Sequence, residues 1–312
     1  MIALGFSVGL IVQTTVAGPL EDGQAAYDRG DYNAALQLWR PLADKGDAKG
    51  QYNIGKVYGH GFGVSRDYAE AAKWYRLAAE QGNSDAQFAV GIMYNAGLGL
   101  PQDYAEAAKW YLAAADQGNV NAQFNLGVMY GAGQGLTQDH TAAAKWYRLA
   151  ADQGDADAQY NLGVIYYHGQ GVTKDYASAS YWYRLAADQG QAFAQNNLGI
   201  MYEEGVGLRQ DYAQALKWYQ ISSNQGCPTG LYSLARAYEN GFGIERNLMQ
   251  ALKWYILAAD AADAADASQS VSNEFRGNAF IAREEVKALL SEAEIAQASQ
   301  LANQWLVEHP QP

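Results

Sequence analysis

The chain has 312 residues, 21 Lys and Arg against 33 Asp and Glu, a formal charge of −12 and one cysteine. That balance opposes binding to nucleic acid or to anionic lipid, because phosphate recognition rests on clustered cations that release counterions. The lone Cys227 excludes an intrachain disulfide, so packing alone must hold the fold.

Residues 2–12 (IALGFSVGLIV) are apolar, and Thr14, Thr15, Val16 and Ala17 come next, small residues that suit a signal-peptidase cut after Ala17. Residues 1–17 are therefore expected to be an export signal, and the mature protein periplasmic or secreted. No Lys or Arg precedes Arg29, which departs from the usual basic start. The stretch is short for a transmembrane helix and no other run approaches it, so no membrane insertion is expected once the signal is removed. Glu21 to Gly30 (EDGQAAYDRG) reads as a short helix with Ala25, Ala26 and Tyr27 on its inner side. Residues 18–30 are expected to form a half-repeat that caps the N-terminal end of the fold.

A block opening at Asp31 recurs at Asp67, Asp103, Asp139, Asp175, Asp211 and Asn247, each 36 residues after the last. A fixed period of that size predicts one helix-turn-helix unit stacked on copies of itself. In the unit from Asp67 to Gln102, Asp67 and Glu70 read as a capping box, repeated as Asp103 with Glu106, Asp211 with Gln214 and Asn247 with Gln250. Ala71, Trp74, Tyr75, Ala78 and Ala79 continue at helical spacing, with Lys73, Arg76 and Glu80 on the other side. Gly82 ends this first helix, as Gly46, Gly118, Gly154, Gly190 and Gly226 do elsewhere. Asp47, Asn83, Asn119 and Asp155 then suit the N-cap of a second helix, and Cys227 precedes Pro228 in that place. Glycine inside the second helix, at Gly55, Gly91, Gly127, Gly163 and Gly199, predicts close approach of a neighbouring backbone, with Ala235 in the same slot. Glycine pairs such as Gly97 with Gly99 and Gly133 with Gly135 mark the turn between units.

W-Y-x-x-A-A, then A-Q-x-x-L-G-x-x-Y, then G-x-G resembles the Sel-one-like repeat, a relative of the tetratricopeptide repeat. Clear instances are Trp110-Tyr111 with Ala122-Gln123, Leu126-Gly127 and Tyr130, and Trp146-Tyr147 with Ala158-Gln159, Leu162-Gly163 and Tyr166. The first copy is worn, with Leu38-Trp39 for Trp-Tyr and Gly50 for alanine. The resemblance implies an all-α fold, a right-handed αα superhelical solenoid of about six to seven 36-residue repeats over residues 31–260. It also implies an adaptor that binds a protein or extended peptide on its concave surface, with no cofactor. One branch of the family carries a cysteine pair in each repeat and is linked to cell-wall-type compounds. A rival reading is thus an envelope enzyme or binder acting on peptidoglycan or β-lactams, and the missing cysteine pairs speak against it.

After Trp254-Tyr255 the period fails, because the Ala-rich run from Ala258 lacks the stopping glycine. Residues 261–312 are expected to be capping helices: one from Asn273 to Leu290 containing Phe275, Phe280, Ile281 and Val286, and one opened by a Ser291–Glu294 capping box and a Leu290–Ile295 staple. Ile295, Ala298, Ala302, Trp305 and Leu306 should seal the open end of the array.

No residue set combines nucleophile, base and orienting group, so no catalytic residue is assigned and the protein is read as a non-enzyme. Trp and Tyr abundance would suit a glycan platform, but Trp74, Trp110, Trp146, Trp182, Trp218 and Trp254 share one slot, which argues for inter-repeat packing. Asn53, Asn125, Asn161 and Asn197 form a ladder in the second helices. Their amides either grip a peptide backbone, as in tetratricopeptide relatives, or satisfy carbonyls of the adjoining glycine turn. The two residues after the recurring tyrosine vary: Tyr167-His168, Glu203-Glu204 and Glu239-Asn240. This acidic stripe suits a basic segment of a partner or is simply a solvated rim. Helices packing roughly 8–10 Å apart are too widely spaced for compact coordination of one metal by these side chains, so no metal is expected. Cys227, at a helix start, reads as a reactive thiol or as a substituted cap. Arg76 with Glu80, Arg148 with Asp152 and Arg184 with Asp188 should mark the solvated face, and the protein is expected to be a monomer.

Overall fold

A computed structural model describes residues 18–266 and 272–310, so the expected export signal lies outside the described residues. The described residues form helices and no strands: α1 (Pro19–Asp28), α2 (Tyr32–Asp44), α3 (Ala48–His60), α4 (Tyr68–Glu80), α5 (Ser84–Ala96), α6 (Tyr104–Ala115), α7 (Val120–Ala132), α8 (His140–Asp152), α9 (Ala156–His168), α10 (Tyr176–Asp188), α11 (Ala192–Glu204), α12 (Tyr212–Asn224), α13 (Pro228–Asn240), α14 (Leu248–Asp266), α15 (Asn273–Lys287) and α16 (Glu292–Glu308). They fall into two compact units, one ending at Ala122 and one beginning at Gln123.

Local chemistry sets the helix ends. The first helices α2, α4, α6, α8, α10 and α12 start where an aspartate accepts backbone N–H groups, as Asp67 does from Glu70 and Asp211 from Ala213 and Gln214, and at α14 Asn247 accepts from Gln250. Such caps are worth about 1 kcal/mol each. The expected reciprocal half of the capping box is absent in these repeats. The Glu70 carboxylate turns along its own helix to accept from Lys73 and from the Trp74 indole, both at 2.9 Å, and Glu106 pairs with Lys109. A two-way box forms where expected at the C-terminal end, between Ser291 and Glu294. Gly82 has φ +87° and Gly190 φ +95°, the left-handed conformation that stops the first helix. The second helices then start at Asp47, Asn83, Asn119 and Asp155 as expected, and at Gln191, whose amide oxygen takes the Ala194 N–H at 2.7 Å. Cys227 fills the slot without capping; its sulfur contacts the Thr229 hydroxyl at 3.3 Å.

In the first unit, α1 to α6 pack each against the next. A Cβ on Gly55 would meet the Tyr75 ring at 2.6 Å, and one on Gly91 the Tyr111 ring at 2.5 Å. The neighbour that demands glycine is thus an aromatic ring of the next helix in the chain, not the backbone that the sequence predicts. The worn first repeat keeps a related lock, with Trp39 in the tyrosine slot against Gly23, which occupies the slot of Gly59, and its indole N–H on the Leu20 carbonyl at 3.1 Å.

In the second unit, Gly127, Gly163 and Gly199 face Tyr147, Tyr183 and Tyr219 in the same way. Gly207 and Gly243, both with positive φ, lie against the backbones of Tyr176 and Tyr212, so the turn between repeats rests on the start of the preceding first helix. Trp182, Trp218 and Trp254 are buried, whereas Trp146 is partly buried. Arg148 lies 4.8 Å from the Trp182 ring and Arg184 5.3 Å from the Trp218 ring. The face expected to be merely solvated is therefore partly a roof over tryptophan. Arg148 still pairs with Asp152 at 3.5 Å, but Arg184 bonds to the Tyr202 hydroxyl and not to Asp188. Past Tyr255, α14 runs on through the Ala-rich segment, and α15 and α16 pack on it. Trp305 meets Trp254 edge-on at 5.9 Å, with Ala298 and Ala302 buried beside it, while Phe280, Ile281 and Leu306 are left exposed.

Buried glutamines link the layers. Gln195 donates to the Ala187 carbonyl at 3.1 Å and accepts from Gln225 at 2.7 Å, joining the ends of α10, α11 and α12. Gln51 does the same in the first unit, with Ala43 at 3.2 Å and Gln81 at 2.7 Å. An amide satisfied on both sides fixes the register between neighbouring repeats in a way that apolar packing does not.

Candidate functional site

The variable residues after the recurring tyrosine occupy the last turns of α9, α11 and α13, all in the second unit. Gly169, Gly205 and Gly241 end these helices with φ of +72°, +69° and +76°, so three successive repeats present their final side chains in the same way.

The stripe separates into two rows. Its first row, Tyr167, Glu203 and Glu239, leans toward the core tyrosine of the next repeat. Glu203 is 8% exposed and accepts from the Tyr219 hydroxyl at 2.7 Å and from Arg236 at 3.0 Å. Glu239 accepts from the Tyr255 hydroxyl at 2.7 Å. Burial, reinforced by the carboxylate facing it, holds the Tyr219 hydroxyl well above the ordinary phenol value; Tyr255 is raised by burial and by its bond to Glu239. Both hydroxyls thus serve as donors to a carboxylate. The second row, His168, Glu204 and Asn240, is more open to solvent. Asn240 donates back to the Arg236 carbonyl at 3.0 Å.

At α9 the arrangement changes. Tyr167 stands edge-on to Tyr176 at 5.2 Å and to His168 at 5.1 Å, and its hydroxyl donates to Oε2 of Glu204 at 3.3 Å. Tyr167, His168, Tyr183, Asn197 and Ile200 line a cavity of about 120 Å³. Burial raises the Tyr183 hydroxyl above its ordinary value.

The asparagine ladder is not uniform. Asn53 is buried in α3, in the first unit, while Asn125, Asn161 and Asn197 belong to the second. Asn161 donates to the Asp157 carbonyl of its own helix at 2.8 Å. The carbonyls next to the glycine turns are taken by other side chains: Gln138 on Gly131 and Gln210 on Glu203, both at 2.8 Å, and Arg246 on Glu239 at 2.9 Å. Sequence reasoning missed Arg236 as the partner of Glu203, although Arg236 and Glu203 differ by three residues less than one repeat, a spacing that brings successive second helices side by side. Among the described residues no group of three or more His, Cys, Asp or Glu could hold a metal ion, and no helix is long and apolar enough to cross a membrane.

The Sel1 repeat model matches seven consecutive segments of the chain: residues 18–47, 48–83, 84–119, 120–155, 156–191, 192–227 and 228–263. Among solved structures, a Sel1 repeat protein from Oxalobacter formigenes is 33% identical, with 78% of this chain and 97% of that chain covered and a TM-score of 0.70. A protective antigen of uropathogenic Escherichia coli strains that displays an SLR fold is 26% identical, with 93% of this chain and 84% of that chain covered and a TM-score of 0.51. Comparison with curated proteins gives no match.

Proposed function

This chain belongs to the Sel1 repeat family, and from that premise we propose that it is an exported, monomeric scaffold whose second helices hold a protein or extended-peptide partner carrying a basic segment. Repeats of this family generally mediate protein–protein interactions. The observation that carries the finer reading is the last turn of α9, α11 and α13. A recurring frame of tyrosine and glycine holds three different side chains open to solvent, His168, Glu204 and Asn240, in equivalent positions, with the carboxylates of Glu203 and Glu239 behind them. Packing does not dictate this outer row, so it is free to serve recognition. A chain of charge −12 attracts a basic segment at long range, and that attraction falls with salt.

The test has two arms. Photoreactive residues at positions 168, 204 and 240 are expected to crosslink a partner in the envelope of the native cell, while a probe at exposed Leu149 on α8 is not. Synthetic decapeptides alternating Lys and Gly are expected to bind the purified chain, more weakly in high salt and after Glu204→Lys, whereas Glu-Gly peptides do not bind. Capture from position 149 alone, or equal binding of both peptides, would refute the proposal.

A further inference from the structure

The geometry points to the cavity beneath Tyr167 as a pocket for one arginine side chain of the partner. This deepens the docking proposal above and rests on it. A cavity of about 120 Å³ is slightly smaller than the roughly 150 Å³ that accommodates benzene, and well below the roughly 300 Å³ at which small-molecule sites begin. It has room for a single side chain.

The repeat register indicates which one. Ile200 of α11 occupies the slot that Arg236 occupies one repeat later in α13, Tyr183 the slot of Tyr219, and Tyr167 the slot of Glu203. In the later repeat, the chain's own guanidinium therefore fills this place, 3.0 Å from a carboxylate that is also bonded to the tyrosine. In the earlier repeat Ile200 is too short to reach, and the cavity remains. Its walls suit the same group. Tyr167 and Tyr183 supply aromatic surface, Ile200 an apolar floor for the methylenes, and Asn197 an amide. Beside the lining residue Tyr167, exposed Glu204 accepts the Tyr167 hydroxyl through Oε2, and its Oε1 is available to a ligand that enters there. A planar guanidinium can lie against tyrosine while donating to that oxygen, a combination a compact ammonium matches less well.

The probe is N-acetyl-arginine amide, titrated into the full chain and followed by NMR shifts of His168, Asn197 and Ile200. Saturable millimolar binding is expected at these residues, several-fold weaker for the lysine analogue and at least tenfold weaker for the uncharged citrulline analogue. Ile200→Arg should fill the pocket from within, as Arg236 does, and abolish the shifts; Glu204→Gln, at an exposed site, should weaken binding several-fold with the fold intact. Equal binding of citrulline, or binding unchanged in folded Ile200→Arg, overturns the pocket. If the arginine probe does not bind but Lys-Gly peptides still do, the pocket falls and the docking face stands; if neither binds, both fall.

Discussion

The Tyr219 hydroxyl donates to Glu203 at 2.7 Å across the junction between α11 and α12, and Arg236 of α13 takes the other oxygen of the same carboxylate. One side chain thus ties three consecutive helices. Glu203→Ala should cost about 2–3 kcal/mol, because it leaves a buried hydroxyl unpaired and a cation without its partner. Glu203→Gln, which keeps an acceptor for Tyr219, should cost less. Urea unfolding of both variants measures the difference, and equal losses would assign the energy to the ion pair alone.

Core tyrosines make the fold sensitive to alkali. Burial pushes Tyr111 up to about 12, and raises Tyr75, Tyr147, Tyr183, Tyr219 and Tyr255 further. Each keeps its proton in the folded state after the unfolded chain has released it near pH 10. Their contribution is therefore complete below pH 10 and is lost as pH rises through the folded values. Tyr111 alone should remove about 3 kcal/mol between pH 10 and 12. Denaturant titrations at pH 9 and pH 11.5 should show a steep fall; a flat profile would contradict the buried tyrosine row.

Two glycines of α3 should respond oppositely to alanine. A Cβ at Gly55 would sit 2.6 Å from the Tyr75 ring, whereas one at Gly59 would lie 3.6 Å from the Tyr75 hydroxyl. Gly55→Ala is expected to destabilise by about 1–3 kcal/mol through overpacking, outweighing the helix-propensity gain. Gly59→Ala is expected to stabilise by up to about 1 kcal/mol. Thermal melts of the two variants provide the comparison.

Gln195→Leu keeps the side-chain bulk while removing the bonds to Ala187 and Gln225. The Ala187 carbonyl keeps the Gly190 N–H at 3.0 Å and the exposed Gln225 amide can turn to water, so the expected loss is about 1 kcal/mol. Hydrogen exchange should quicken first at the ends of α10 and α12. Uniform quickening along the second unit would mean that the glutamine is not a local fastener.

Features governed by neighbours in sequence are legible without the structure. The aspartate caps, the positive-φ Gly82 and the Ser291–Glu294 box depend on contacts a few residues long, so spacing alone exposes them. Where two local partners compete, the outcome is not legible: Glu70 is four residues from Trp74 as well as three from Asp67, and the indole and Lys73 take its carboxylate. Gly91 is readable as a close-packing site, but the identity of its neighbour, Tyr111, depends on how one helix rolls on the next. The same limit hides the inward direction of Glu203. Gln51 with Gln81 and Gln87 with Gln117 carry a signal that sequence reasoning missed, two rows of glutamine repeating in phase. In the candidate site, the residues are visible in the sequence but not their division into an inner and an outer row.

The glutamine bonds between layers join residues 30 apart each time, Gln51 to Gln81 and Gln195 to Gln225 alike. Unequal crossover within the gene could therefore add or delete a whole 36-residue segment, and the new junction would be made from partners the chain already possesses. An insertion of any other length inside a helix would misalign the amides, rings and glycines together. Length is thus the property such a protein can change most easily over generations, while the joint between neighbours resists change.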